Sequence, residues 1–228
     1  VKIFHEFGHA FAARRYGCRV PIMGIAFMIM MPVLYTDVTD AWRLKRRRQR
    51  FVIDVAGVYV ELIIACVATF IWSFLETGLL REMVFLLATS SWIMSLGINL
   101  NPFMRFDGYY ILADLIKVEN LQSRSFALAI WRMREILFGL CHPPPEVLRR
   151  RRRTLLIVYG WCVWAYRLVL FIGIALLVYA FFFKALGILI LIFELGYFVG
   201  RPIFGELKEW WAMRREIIST RRTMFTLA

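Results

Sequence analysis

Two histidines four residues apart share one face of a helix and can grip a single metal ion, so His5 and His9 in His5-Glu6-Phe7-Gly8-His9 read as a zinc-binding pair. Glu6 lies about 100° further round the helix than His5 and can reach a water beside the ion without being a ligand, which is where a general base belongs. The chain has 3 histidines in all, and two of them stand in this motif. Zinc hydrolases commonly take three protein ligands and leave a fourth position open, so one more group must come from elsewhere. Asp107 is the leading candidate; His142, beside Pro143, Pro144 and Pro145 in a loop, is the alternative. Asp114 lies seven residues later and can share a helical face with Asp107, either supporting it from behind or lying solvated at an interface.

These residues need elements to hold them, and the composition says what kind. Hydrophobic side chains make up 61% of the 228 residues and the mean hydropathy is +0.63, too apolar for an ordinary soluble domain. The expectation is an all-α polytopic membrane protein, a bundle of about five spans with the first one truncated. The net charge of +13 sits in short blocks beside apolar runs, which fits membrane lipid headgroups and orientation rather than nucleic acid. Cys18, Cys66, Cys141 and Cys162 show no CxxC spacing, so neither a disulfide frame nor a zinc ribbon is indicated.

Residues 1 to 13 read as the end of a membrane helix, with Gly8, Ala10, Ala12 and Ala13 offering small surfaces for close helix contact. The chain opens already inside that pattern, which is expected of a piece of a longer protein. Residues 22 to 35 are apolar but short for a span and suit a re-entrant or interfacial segment, with a strand-like edge over the site. Full spans are expected at 51 to 75, 83 to 102, 154 to 183 and 185 to 204. Residues 109 to 153 are mixed in character. The first 204 residues would form the membrane core and 205 to 228 a polar cytosolic tail or a linker to a further module. At the end of the second full span, Asn99-Leu100-Asn101-Pro102 should break the helix, because proline lacks an amide proton and clashes with the preceding turn. Glu61 and Arg167 are the costliest charges inside spans; their similar depths suggest that they pair, unless each finds a nearer polar neighbour.

With these residues in view, the chain resembles the site-2 protease family of intramembrane zinc metalloproteases. HEFGH at 5 to 9 is succeeded about a hundred residues later by Asn99-x-x-Pro102-x-x-x-x-Asp107-Gly108 at the end of a later span. More narrowly, Tyr35-Thr36-Asp37, Ala56-Gly57-x-x-x-Glu61, Asp107-Gly108-Tyr109-Tyr110 and Tyr159-Gly160 resemble bacterial peptide zinc metalloproteases, in which such a membrane domain is joined to other modules. The resemblance implies zinc held by His5, His9 and Asp107, Glu6 as catalytic base, and Asn99, Asn101 and Pro102 helping to hold a substrate strand. It implies hydrolysis of membrane-associated or exported peptides in a bacterial cytoplasmic (inner) membrane. Many relatives carry Gly-Pro-x-x-Asn in the second core helix; this chain has Gly57-Val58-Tyr59-Val60-Glu61. A different class of reading is a metal-binding accessory subunit of a peptide-export system with low turnover, against which the intact Glu6 argues. A metal transporter would line one path with ionisable groups, and these cluster at one end instead.

Basic residues crowd into 14 to 50, 105 to 153 and 201 to 228, while the opposite turns hold only Arg81 and Lys184, so the basic loops should be cytosolic. In a background lacking the four native cysteines, a thiol reagent that cannot cross the membrane should label cysteines placed near Arg48 and Arg151 from the cytosolic side alone. Labelling from the outside would invert the topology.

Overall fold

The structure is a computed structural model and describes residues 1–28, 31–181 and 184–214. The chain divides into two compact units, Val1–Glu119 and Asn120–Ala228. The first unit contains helix α1 (Lys2–Arg15), strands β1 (Met23–Met28) and β2 (Met31–Thr36), a short 3₁₀ turn (Thr39–Arg43) and α2 (Arg47–Phe74). It continues with α3 (Leu79–Trp92), a π-helical stretch (Ile93–Asn99) and α4 (Asp107–Ile116). The second contains α5 (Leu121–Phe138), α6 (Arg150–Phe181), α7 (Lys184–Glu194), a second π-helical stretch (Leu195–Gly200) and α8 (Arg201–Ala212).

Among the described residues the protein is all-α apart from one hairpin. Among the described residues, Arg47–Phe74, Leu79–Asn99 and Arg150–Phe181 are long and apolar enough to cross a membrane. The expected span at 185 to 204 is built from α7, a π-helical stretch and α8, and the segment expected as the end of a first span is the 14-residue helix α1. The segment expected to be re-entrant is the antiparallel hairpin, pairing Met23 with Thr36 through to Met28 with Met31; its turn at 29 and 30 lies outside the described residues. The mixed stretch from 109 to 153 contains most of α4 and all of α5. In α5, Leu121, Gln122, Ser125, Leu128 and Ala129 are buried at helical spacing, a narrow and partly polar stripe that the intervening Arg side chains conceal in the sequence. The expected tail begins inside α8, and its residues 215 to 228 lie outside the described residues.

In the first unit α1 lies against α2 at backbone distance. A Cβ added to Gly8 would stand 2.8 Å from the Ala56 carbonyl oxygen and 2.9 Å from Val60 Cγ2, so this crossing admits no side chain at position 8. Ala13, Cys18, Ala41 and Ile53 close the core beneath it. At the far end of α3 the ladder changes register: Leu100 donates to the carbonyl of Ser95 at 2.9 Å, five residues back. The wider π-helical turn carries Ser95 and Asn99 inward, and both are buried. The chain then breaks at Pro102, as proline requires, and Asn101 Oδ1 accepts the Phe103 amide at 2.9 Å to close the turn. α4 starts directly on Asp107. A Cβ on Gly108 would overlap the Leu100 carbonyl, so glycine alone lets the new helix start so close to the old one.

In the second unit Gly160 of α6 admits the Ser125 carbonyl and Ala129 of α5, and Phe126 stacks on Trp164 at 5.7 Å between ring centroids. Arg134 of α5 grips Glu206 and Glu209 of α8, while Phe138 meets Trp210 edge to face at 5.1 Å.

Gly8→Ala should lower stability by about 1–3 kcal/mol through overpacking, read as a lower thermal unfolding temperature in detergent. Gly173→Ala in α6, where an added methyl meets nothing within 4 Å, should leave that temperature unchanged or raise it slightly. Equal effects at the two positions would show that the α1–α2 crossing is not what Gly8 serves.

Candidate metal centre

His5 and His9 project from α1 onto the face of α2 that carries Ile53 and Gly57. Position 57 forms the floor beneath both rings: a Cβ there would lie 2.6 Å from His5 Cε1 and overlap His9 Nε2. His9 Nδ1 is 2.8 Å from the Ile53 carbonyl oxygen. A carbonyl only accepts, so Nδ1 bears the proton and Nε2 presents its lone pair. His5 Nδ1 is 3.1 Å from Glu61 Oε1, an oxygen of a carboxylate that is 0% exposed, and this acceptor likewise turns His5 Nε2 outward.

Asp107, the first residue of α4, completes the group. His5 Nε2 and His9 Nε2 are 3.2 Å apart, and Asp107 Oδ2 is 3.2 Å from the first and 3.4 Å from the second. Ligands about 2.0–2.1 Å from a tetrahedral zinc are about 3.3–3.4 Å from one another, so these three atoms have the spacing of one face of such a site. Asp107 Oδ2 is buried and makes no hydrogen bond, although it faces two nitrogens. Three electron-pair donors converging on one point without a proton to share repel one another, and a cation resolves that repulsion. The donor set, two imidazoles and one carboxylate, suits zinc. Without an ion, charge must come from protons: burial pushes the Asp107 carboxyl up, and the close approach of the His5 and His9 rings outweighs it, holding it well below the usual carboxylate range.

Lys2, Glu61 and Asn99 stand behind this centre. Asn99, 3% exposed, donates from Nδ2 to Glu61 Oε2 at 2.5 Å and accepts from Lys2 Nζ at Oδ1 at 2.7 Å. Lys2 Nζ is also 3.4 Å from Glu61 Oε1. Glu6 is half-buried on α1, and its carboxylate has no hydrogen-bond or ion-pair partner among the described residues. Its backbone carbonyl accepts from Thr36 Oγ1 at 3.2 Å, which fastens the last residue of the hairpin beside it.

The structure thus brings His5, His9 and Asp107 together, with Glu6 one position along the same helix and Glu61 behind His5. Among the described residues this is the one cluster of three such side chains able to hold an ion, and His142 lies outside it, in the second unit. Asp114 pairs with Arg50 at 3.6 Å and makes no contact with Asp107 that would support it. Asn99 faces inward, its amide shared among Glu61, Lys2 and, at 3.5 Å, His5 Nδ1, whereas Asn101 and Pro102 form the half-buried turn leading to Asp107. The expected pairing of Glu61 with Arg167 joins residues of different units. Within its own unit Glu61 already has Lys2, His5 and Asn99, and Arg167 lies over the Phe126 ring at 5.6 Å. Lys2 is the participant that the sequence did not bring forward. Its signal was its place three residues before His5, on the same helical face.

No curated protein and no solved structure matches the chain. A family model does, over residues 1–95, a segment that holds His5, Glu6, His9, Gly57 and Glu61 and stops short of Asp107. Members of that family are zinc metalloproteases of membranes. Over residues 1–95, then, the chain is similar to peptidase family M50, the site-2 protease family, and the His-His-Asp cluster and apolar helices accord with that likeness.

Proposed function

We propose that the chain is an intramembrane zinc metalloprotease that hydrolyses peptide bonds of membrane-associated or exported peptides, in a bacterial cytoplasmic membrane with its basic loops in the cytosol. The observation that carries this reading is the triangle of His5 Nε2, His9 Nε2 and Asp107 Oδ2, with the uncommitted Glu6 carboxylate on the helix that supplies two of its corners. His5, His9 and Asp107 would hold the ion. Zinc, when bound, supplies Lewis-acid polarisation of a carbonyl and lowers the pKa of water. Glu6 accepts the proton of the attacking water and returns it to the leaving amine. Ile53 and Glu61 keep both rings turned to the centre while this happens.

The hairpin supports an extended substrate. Thr36 ties β2 to the backbone of Glu6, so a strand edge runs beside the proposed base, where a peptide in extended form has its bonds open to attack. Asn101 and Pro102, in the turn before Asp107, border the same region and are proposed to help hold that strand. A peptide bond inside a helix has its carbonyl and amide engaged and is a poor substrate for such a site.

Glu6→Gln should keep zinc near stoichiometric, measured by elemental mass spectrometry, while cleavage of a membrane-peptide library falls by roughly 10²–10⁴. Unchanged cleavage would refute the protease reading, and loss of zinc with activity would make Glu6 a ligand instead. Asp107→Ala should weaken zinc binding far more than His142→Ala; the reverse order would move the third ligand to the second unit.

A further inference from the structure

A carboxylate in the middle of a membrane helix is expensive, and Glu61 is completely buried there, so its presence calls for a reason that a smaller polar residue would not meet. Its two oxygens are used differently. Oε2 accepts the Asn99 amide at 2.5 Å, which fixes the carboxylate plane. Oε1 is 3.1 Å from His5 Nδ1 and 3.4 Å from Lys2 Nζ, at ion-pairing distance from both but aligned as a full hydrogen bond with neither. Lys2 in turn donates to Asn99 Oδ1 at 2.7 Å, so Lys2, Asn99 and Glu61 form a closed ring of contacts between α1, α2 and the π-helical turn. The ring meets the metal centre only through His5.

We propose that Glu61 is the positioning residue of the centre: its carboxylate, nearer to His5 Nδ1 at 3.1 Å than the Asn99 amide nitrogen at 3.5 Å, sets the tautomer and orientation of His5, and Lys2 and Asn99 hold Glu61 in place. This rests on the reading of His5, His9 and Asp107 as zinc ligands. A carboxylate accepts and never donates, so it forces the proton onto Nδ1 and the lone pair onto Nε2. An amide at the same position can turn an N–H toward Nδ1 and stabilise the wrong tautomer. Gly57, one turn earlier on α2, leaves room for the His5 ring against the helix, and Glu61 lies at its Nδ1 end. Lys2 balances the second negative charge. Glu61 therefore stays on the Nδ1 side and does not swing toward the ion as a competing ligand.

The test uses the full chain in detergent, with zinc affinity from chelator competition and the visible absorption of the cobalt-substituted protein as readouts, neither of which needs turnover. Glu61→Gln should weaken zinc binding about 10–100-fold and alter the cobalt spectrum. Lys2→Met should weaken it less, and the double variant should match Glu61→Gln alone, because Lys2 has nothing left to hold. Ser95→Ala removes a neighbouring buried hydroxyl, 3.5 Å from the Val58 carbonyl, and should leave zinc affinity unchanged even if it lowers stability. If Glu61→Gln does not fold, Lys2→Met alone keeps the carboxylate while loosening it, without removing a group that contacts His5 Nδ1, and should still weaken zinc; unchanged zinc affinity there would overturn the proposal. Zinc affinity within about twofold of wild type in Glu61→Gln, or losses for Lys2 and Glu61 that simply add, would overturn the proposal. A wild-type chain that fails to bind zinc would instead overturn the metal centre itself, and Asp107→Ala tells the two failures apart.

Discussion

Everything at this site depends on how closely α1 approaches α2. Gly8 lets the two backbones meet at the Ala56 carbonyl, and Gly57 lets two imidazole rings lie where a side chain would otherwise be. With the rings pressed onto α2, its Ile53 carbonyl and Glu61 carboxylate fall against the two Nδ1 atoms, eight residues and about 12 Å apart along one helical face. Any larger residue at 8 or 57 would part the helices and release both of these contacts at once. The glycines thus act on chemistry they never touch, by setting the distance at which α2 can orient the histidines of α1.

Asp107, the proposed third ligand, is delivered by a different device. The π-helical turn before Asn99 inserts one residue into the ladder and rotates the chain beyond it, the proline ends the helix, and Gly108 lets α4 restart against the Leu100 carbonyl. The result places Asp107 at a helix start, on a short rigid turn anchored to a span. Asn99 gains a second role from the same shift. Carried inward, it locks Glu61 and Lys2 together, so the element that aims Asp107 from one side also steadies His5 from the other.

The juxtaposition of His5 and His9 was legible in the sequence because i, i+4 spacing maps directly onto one helical face, and the place of Asp107 beside them because span boundaries gave it a depth similar to the histidines. Partner choice was less legible. Depth along a span suggested Arg167 for Glu61, yet a lysine three residues before His5 reaches it from the neighbouring helix, and depth carries no information about which helices touch. The π-helical turn left no sequence mark apart from the Gly97 and Asn99 that also fit an ordinary helix end, so the inward contacts of Asn99 with Glu61 and Lys2 could not be read there. α5 was hidden for a similar reason, since its buried stripe is narrow and its surface rich in Arg. The hairpin was visible only as an apolar stretch too short to span; length separated it from a membrane helix, and nothing in its pattern identified its pairing.

Whether two histidines of α1 and the first residue of α4 hold one zinc ion is measured most directly by X-ray absorption at the zinc edge of the purified wild-type chain. The expected result is about one zinc per chain, bound by two imidazoles recognisable from their multiple scattering together with oxygen donors at about 2.0–2.2 Å, and no sulfur. A shell with sulfur at about 2.3 Å, or with only oxygen donors and no imidazole scattering, would contradict it.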